Sequence, residues 1–309
     1  MNVMRNSIKE IMRDWFILSR PPFHIVGILP FILGTFLAYK LTSAFNPEVF
    51  ILGVAGIIMI MLSTYHAGEY FDYRGDIISS QMHQSKFAGG SRIFTSGKLP
   101  PSVSLWTSLI TLMIAATVGA ILQFVFKTGA YTLVLGAMGA FPGFFYSTPP
   151  VRLVKRGIGE IFIGFCYGWL PMASAYYIQT GTINPIIHLL AIPIGLSVVN
   201  VILLNEFPDY EADKATGKNN LLCRIGKQKG ITLFLAISLL SSFTMLTSPF
   251  WGIPFKAIYF YLPFFIISLL IIALALRGKH ENSKTLEILC GLNIAVNLGT
   301  SLSFILAYI

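Results

Sequence analysis

A chain of 309 residues that is 55% hydrophobic and only 11% charged cannot solvate a soluble surface of its size, since an ordinary soluble domain is roughly a quarter charged. The mean hydropathy of +0.72 puts it in the membrane class. The net charge of +9 excludes nucleic acid as a partner, because the basic residues sit in short loops between long apolar runs.

The first element in the chain is predicted to be an interfacial helix within residues 1–20. Ile8, Ile11, Met12 and Trp15 recur at helical spacing, while Lys9, Arg13 and Asp14 face elsewhere, the pattern of an amphipathic helix lying on a bilayer. A solvated helical tail would share this pattern. The stretch from Met1 to Arg20 is charged and does not read as a cleavable signal peptide.

Stretches of about 20 apolar residues are long enough to cross the hydrocarbon core. Nine are expected: 22–39, 48–66, 103–125, 130–148, 157–178, 184–205, 231–249, 257–276 and 287–308. Placing the spans in alternation leaves nineteen of the 22 Lys and Arg residues on the side of the N-terminus. Only Lys40, Lys127 and Lys256 fall on the other. This bias makes the N-terminus and the two long loops, 67–102 and 206–230, cytoplasmic, and puts the C-terminus on the opposite side. Cys166, Cys223 and Cys290 are far apart and form no CxxC pair, so they supply neither a disulfide framework nor a zinc site.

The two long loops open on the same motif. Glu69-Tyr70-Phe71-Asp72-Tyr73-Arg74-Gly75-Asp76 and Glu206-Phe207-Pro208-Asp209-Tyr210-Glu211-Ala212-Asp213 both read E-x-x-D-Y-x-x-D, 137 residues apart. Each follows an apolar span, which indicates duplication of a four-helix unit. On a helix, positions i, i+3 and i+7 fall within roughly 60°, so each carboxylate triplet would share one face. Like charges beside apolar surface repel and are costly to desolvate. A solvated loop run is the bland explanation of one triplet. Two copies hold six of the 13 acidic residues, which argues for a bound cation. Mg²⁺ commonly takes one or two carboxylates plus substrate phosphate oxygens.

Further groups lie near these motifs. Gly89-Gly90-Ser91-Arg92 is a donor-rich turn suited to phosphate. Lys86, Arg92 and Lys98 follow the first motif, and Lys214 and Lys218 follow the second. Tyr146, Ser147, Arg152, Lys155 and Arg156 close the fourth span on the same side. Taken singly, each basic residue reads more readily as a lipid-headgroup anchor than as a diphosphate contact. Tyr70, Phe71, Phe141, Phe144, Phe145 and Tyr146 could line an apolar tunnel and face a carbocation, or form an interfacial aromatic belt. His66, beside the first motif, is a candidate base, although a lone histidine at a helix end is more often structural.

These features together resemble the UbiA superfamily of intramembrane prenyltransferases. The carriers are the two acidic motifs, the segment Tyr146 to Lys155, Arg20-Pro21-Pro22 before the first span, and nine spans. The segments Gly89 to Leu99 and Tyr146 to Glu160 are similar to the 1,4-dihydroxy-2-naphthoate branch, which makes menaquinone precursors. The resemblance implies an all-α membrane fold, a ring of nine helices around a central cavity. It would be one domain over 1–309, with halves 21–150 and 151–309. It also implies Mg²⁺ and a polyprenyl diphosphate held by Asp72, Asp76, Asn205, Asp209 and Asp213. Tyr146 and Lys155 would act at the reacting centre. Arg20, Glu69, Lys86, Arg92, Ser147 and Lys214 would bind substrate, and an aromatic small molecule would accept the prenyl group. Where the family's first motif opens Asn-Asp, this chain has Gly68 and Glu69, which removes one oxygen ligand. A hydroxybenzoate-like or glycerol-phosphate acceptor stays open. So does a cation-coupled transporter, whose carboxylates would sit near mid-membrane.

Overall fold

Long runs without charge can satisfy their backbone inside a bilayer only as helices or closed barrels. The computed structural model describes residues 8–82, 90, 91, 93, 94 and 96–309, and these contain helices and no strand. The expected phosphate contacts Lys86 and Arg92 lie outside the described residues.

Helix α1 (Ile8–Leu18) leaves Ile8, Met12 and Phe16 exposed while burying Asp14 and Leu18. Trp15 Nε1 donates to Thr107 Oγ1 at 3.2 Å, which fastens α1 to the bundle. Pro21 and Pro22 then open α2 (Pro21–Thr42), in the first turn, where no backbone donor is needed. Arg20 ahead of them adopts φ 48°.

Next come α3 (Pro47–Phe71), α4 (Tyr73–Met82), α5 (Ser102–Ala120) with a π-helical end at Ile121–Val125, and α6 (Thr132–Phe144). The second half holds α7 (Gly159–Tyr167), α8 (Trp169–Thr180), α9 (Ile186–Asn205), α10 (Tyr210–Ala215), α11 (Leu221–Ile225), α12 (Lys227–Leu246), α13 (Lys256–Leu276) and α14 (Ser283–Tyr308). Among the described residues, eight passages are long and apolar enough to cross a bilayer, with α7 and α8 counted as one.

The difference from the nine expected spans lies at 130–148. Helix α6 has 13 residues, about 20 Å of rise, because the chain leaves the helix at Phe145. It nevertheless joins the two ends of the bundle. At one end the Tyr131 N–H donates to Tyr177 Oη near the close of α8 (3.1 Å), and just past the other end Ser147 donates to Asp72 (2.5 Å). The alternation that places both acidic motifs at one end is therefore kept.

The helices form a ring: α2 packs on α8, α3 on α5, α7 on α9, α9 on α12, α13 on α14, and α14 returns to α2. Glycines allow the closest crossings. A Cβ on Gly34 would collide with the Met172 carbonyl, and one on Gly168 would come within 2.6 Å of Gly195 Cα. Polar side chains tie the later helices. Asn297 donates to Ser197 (2.7 Å), Asn200 to Ser238 (2.7 Å), and Ser241 to the Pro193 carbonyl (2.9 Å), interhelical bonds of the kind used where the surrounding solvent is lipid.

The ring encloses a cavity of about 370 Å³, lined from α2, α3, α5 to α9 and the segment 209–220. No lining residue comes from α12, α13 or α14. The cavity is thus off-centre, and the last three helices brace its wall.

Gly34→Val should lower the thermal unfolding midpoint in detergent by several degrees, since overpacking a close crossing costs about 1–3 kcal/mol. Gly291→Ala is the control, because a Cβ there meets nothing within 4 Å and should leave the midpoint unchanged. Equal midpoints for the two variants would show that the α2–α8 approach is not needed.

Candidate active site

Both acidic motifs sit where a span stops. Asp72 is the C-cap of α3, with φ −95° and ψ 0°, and α4 resumes at Tyr73. In the second half α9 ends at Asn205, and Asp209 is the N-cap of α10. Neither triplet lies on one unbroken helix, so a shared helical face does not gather the carboxylates. The break in each helix does. Glu69, Asp72, Asp76, Asn205, Glu206, Asp209 and Asp213 all line the cavity. The two motifs meet where α4 packs on α10, and a Cβ on Gly75 would lie 3.7 Å from Thr216 Oγ1.

Each carboxylate has its own surroundings. Glu69 Oε1 accepts from Arg20 Nη2 (2.7 Å) and Nε (3.1 Å), and from the Ser91 backbone N–H (2.9 Å). Its Oε2 accepts from Ser91 Oγ (2.8 Å). Glu69, with four donors on it, therefore holds Arg20 at the cavity wall. Ser147 donates to Asp72, and Ser79 donates to Asp209. Asp213 accepts from Asn220 (2.8 Å) and pairs with Lys218 (3.5 Å). Asp76 lies against Gly90, whose φ of 63° and missing side chain make room for it.

Lys218 is the charge that the four aspartates share. Burial alone would discharge its ammonium, but Asp72, Asp213, Asp76 and Asp209 outweigh burial and hold it well above the lysine range. One cation is too few for them. Burial, with Glu69 and Asp72 adding to it, pushes Asp76 up to about 8 against the pull of Lys218 and Arg20. Burial likewise lifts Asp213 to about 6 despite Lys218. Glu206 is pushed well above the carboxylate range by burial and by Glu160 beside it. Burial, reinforced by Glu206 and Glu160, keeps Tyr146 a neutral phenol at the cavity mouth.

Some expected residues lie elsewhere. Lys155 is half-buried in a single 3₁₀ turn, Leu153–Lys155, and is not among the lining residues. Its carbonyl accepts from Arg224 (2.9 Å). Lys214 is exposed, with Nζ 5.4 Å over the Tyr210 ring. Of the six aromatic residues proposed to line a tunnel, only Tyr146 does so. His66 is structural. Its ring bonds Ser19 (3.2 Å) and Ser104 (2.9 Å) and stacks on Trp15.

Lys218, named with Lys214 as a group following the second motif, is the one of the two that lines the cavity, and two residues not named as site candidates, Asn220 and Glu160, stand beside it. Lys218 and Asn220 line the cavity. Glu160 is fully buried, and its Oε1 accepts the Leu221 N–H at 2.9 Å, which anchors the turn carrying both. A lone acidic residue opening an apolar span was the available signal, since a buried charge without a partner is expensive.

The arrangement can hold a polyanion through cations and keep an apolar tail dry below it. Comparison with known proteins agrees. A profile of the UbiA prenyltransferase family matches residues 28–295. The 1,4-dihydroxy-2-naphthoate octaprenyltransferase of Bacillus subtilis is 28% identical over 220 residues, covering 71% of this chain and 68% of that one. The apo structure of a UbiA homologue from Aeropyrum pernix K1 superposes with a TM-score of 0.69 at 16% identity, over 92% of this chain and 97% of that chain. A homologue from Archaeoglobus fulgidus bound to DMAPP and Mg²⁺ gives a TM-score of 0.59 at 16% identity, over 93% of this chain and 98% of that chain.

With Asp76 at about 8 and Asp213 at about 6, the folded chain binds more protons than the unfolded chain above the ordinary carboxylate range. Stability must then fall as pH rises through these values. In chelator, the unfolding midpoint should drop by several degrees between about pH 5 and about pH 9. A midpoint that is flat or rises over this window would contradict protonated carboxyls at the cavity mouth.

Proposed function

This chain belongs to the UbiA prenyltransferase family, and from that premise we propose that it transfers a polyprenyl group from its diphosphate to 1,4-dihydroxy-2-naphthoate, yielding a menaquinone precursor. The observation that carries the reading is one cavity whose mouth holds both acidic motifs and whose depth is apolar. The named naphthoate acceptor of the Bacillus subtilis relative supports the acceptor class. The excess of Lys and Arg on the motif side supports a mouth that opens to the cytoplasm.

The donor set suits Mg²⁺. It is made of oxygen atoms only, it exceeds its resident cations in charge, and Asn205 Oδ1 is buried with no hydrogen-bond partner. Among the described residues no three acidic, histidine or cysteine side chains gather closely enough to enclose a bare ion. That suits an ion whose shell is completed by substrate phosphate. Asp72, Asp76, Asp209, Asp213 and Asn205 would hold it. When bound, Mg²⁺ supplies Lewis-acid neutralisation of the diphosphate oxygens.

The chain's own residues do the rest. Lys218 and Arg20 add fixed positive charge at the mouth, where the leaving group gains negative charge. Ser147 and Ser79 orient Asp72 and Asp209 by donating to them. Tyr146, held neutral, presents a phenol O–H at the same level. The wall below, from Ile57, Val118, Leu122 and Leu135, excludes water from an allylic cation that water would otherwise capture. A transporter would need its carboxylates near mid-span, whereas here they cap the ends of α3 and α9.

Purified protein with octaprenyl diphosphate, 1,4-dihydroxy-2-naphthoate and Mg²⁺ should form a prenylated naphthalene detectable by mass spectrometry. Asp72→Asn and Asp209→Asn should each lower turnover by at least about 10²-fold, the scale of losing one electrostatic stabiliser, with unchanged unfolding midpoints. EDTA should abolish turnover, and Mg²⁺ should restore it. Full activity in either variant would overturn the role of the motif. Product only with hydroxybenzoate or a glycerol phosphate would reassign the acceptor.

A further inference from the structure

We infer that Tyr65 and Tyr167 form the recognition site for the oxygen substituents of the aromatic acceptor. The inference rests on the transferase reading above and adds to it where the acceptor binds and through which atoms.

The tyrosines face each other across the cavity from α3 and from the end of α7, and both line it. Tyr167 Oη donates to Tyr65 Oη at 3.0 Å. Two hydroxyls that share one bond leave one proton over, and that proton has no acceptor among the described residues. The other polar groups nearby are already used. Thr64 Oγ1 donates to the Ile60 carbonyl (3.0 Å), and His24, whose ring lies beside Tyr65, bonds the Ser19 carbonyl through Nε2 (2.9 Å). A hydroxyl pair with a spare donor inside an apolar cavity is unfavourable unless a ligand oxygen meets it.

Its depth suits an acceptor. Tyr65, Glu69 and Asp72 follow at i, i+4 and i+7, one face of α3. The tyrosine therefore lies about 10 Å along the helix axis below the carboxylate level. A diphosphate at the carboxylates leaves its reactive carbon between the two levels. An arene bound there with an oxygen on the tyrosine pair presents a ring carbon to that carbon. The face below, through Met61, Ile57 and Gly53, stays apolar for the prenyl tail.

Two glycines shape the site, one by leaving space and one by close packing. A Cβ on Gly68, between Tyr65 and Asp72, would meet only Ser147 Oγ, at 3.9 Å. Here the family pattern has asparagine, and its absence leaves room beside the reactive carbon. A Cβ on Gly27 would already touch Met61 Sδ (3.2 Å) and Tyr167 Cδ1 (3.5 Å). The glycine is therefore closely packed, and its missing side chain lets the Met61 thioether and the Tyr167 ring seat against α2 as a wall of the site, both good partners for a π-system. The chemical class that fits is a flat hydroxyarene bearing at least one ring oxygen that can accept the spare proton.

Tyr65→Phe and Tyr167→Phe remove the hydroxyls and keep the rings. Each should raise the KM for 1,4-dihydroxy-2-naphthoate by about three- to tenfold, the value of one neutral hydrogen bond, and leave the KM for octaprenyl diphosphate unchanged. With naphthalene, which carries no oxygen, inhibition constants should be the same for wild type and both variants. Fluorescence titration with the acceptor gives the same comparison without turnover. Unchanged acceptor KM in both variants, or an equal rise in donor KM, overturns the site while the transferase reading stands. Wild-type protein that prenylates no hydroxyarene overturns that reading instead.

Discussion

The structure is organised by one electrostatic constraint: six carboxylates at one end of an apolar helical bundle with too few fixed cations to neutralise them. In low dielectric such a crowd either protonates or recruits positive charge. Both responses are visible. Arg20 is held by Glu69, and Lys218 stands among Asp72, Asp76, Asp209 and Asp213. Burial still leaves Asp76 at about 8. On the proposed function, that residual deficit is what further cations would meet at the mouth, and with them a polyanionic headgroup.

That constraint explains why the helices stop where they do. A carboxylate at mid-span would be far more costly than one at a helix end, where backbone and loop donors reach it. Asp72 and Asp209 therefore occupy caps, and short interrupted elements, α4 and α10, carry Asp76 and Asp213 back over the opening. The serines that hold Asp209 and Asp72 come from distant segments, Ser79 and Ser147, while Ser91 holds Glu69 and Asn220 reaches back to Asp213 from the following turn. The mouth is a junction of four chain segments, and the rigidity of the ring supplies its geometry.

The same ring serves its lipid solvent. Association of helices in a bilayer draws little from hydrophobicity and much from close packing and interhelical hydrogen bonds. Gly34, Gly168 and Gly195 mark the closest crossings, while Asn200 and Asn297 bond across helices. Most of these devices belong to α2 and to α7–α9, the helices that also line the cavity, while Asn297 on α14 ties the outer helices to them.

Much of this was readable from residue order alone. Apolar length and the Lys/Arg asymmetry are local or additive properties, so they set membrane class, span alternation and the shared level of the two motifs. The repeat E-x-x-D-Y-x-x-D marked six cavity-lining carboxylates. Tertiary contact decided the rest. Lys214 and Lys218 look alike in sequence, yet one lies exposed over Tyr210 and the other sits among four aspartates, because a turn anchored by buried Glu160 sets which lysine points inward. Lys155 falls outside the cavity, and Tyr65 and Tyr167 fall together 102 residues apart. Spacing encodes which face of a helix a side chain occupies. Which helix stands opposite that face depends on the packing of the whole ring, and no single segment of sequence contains it.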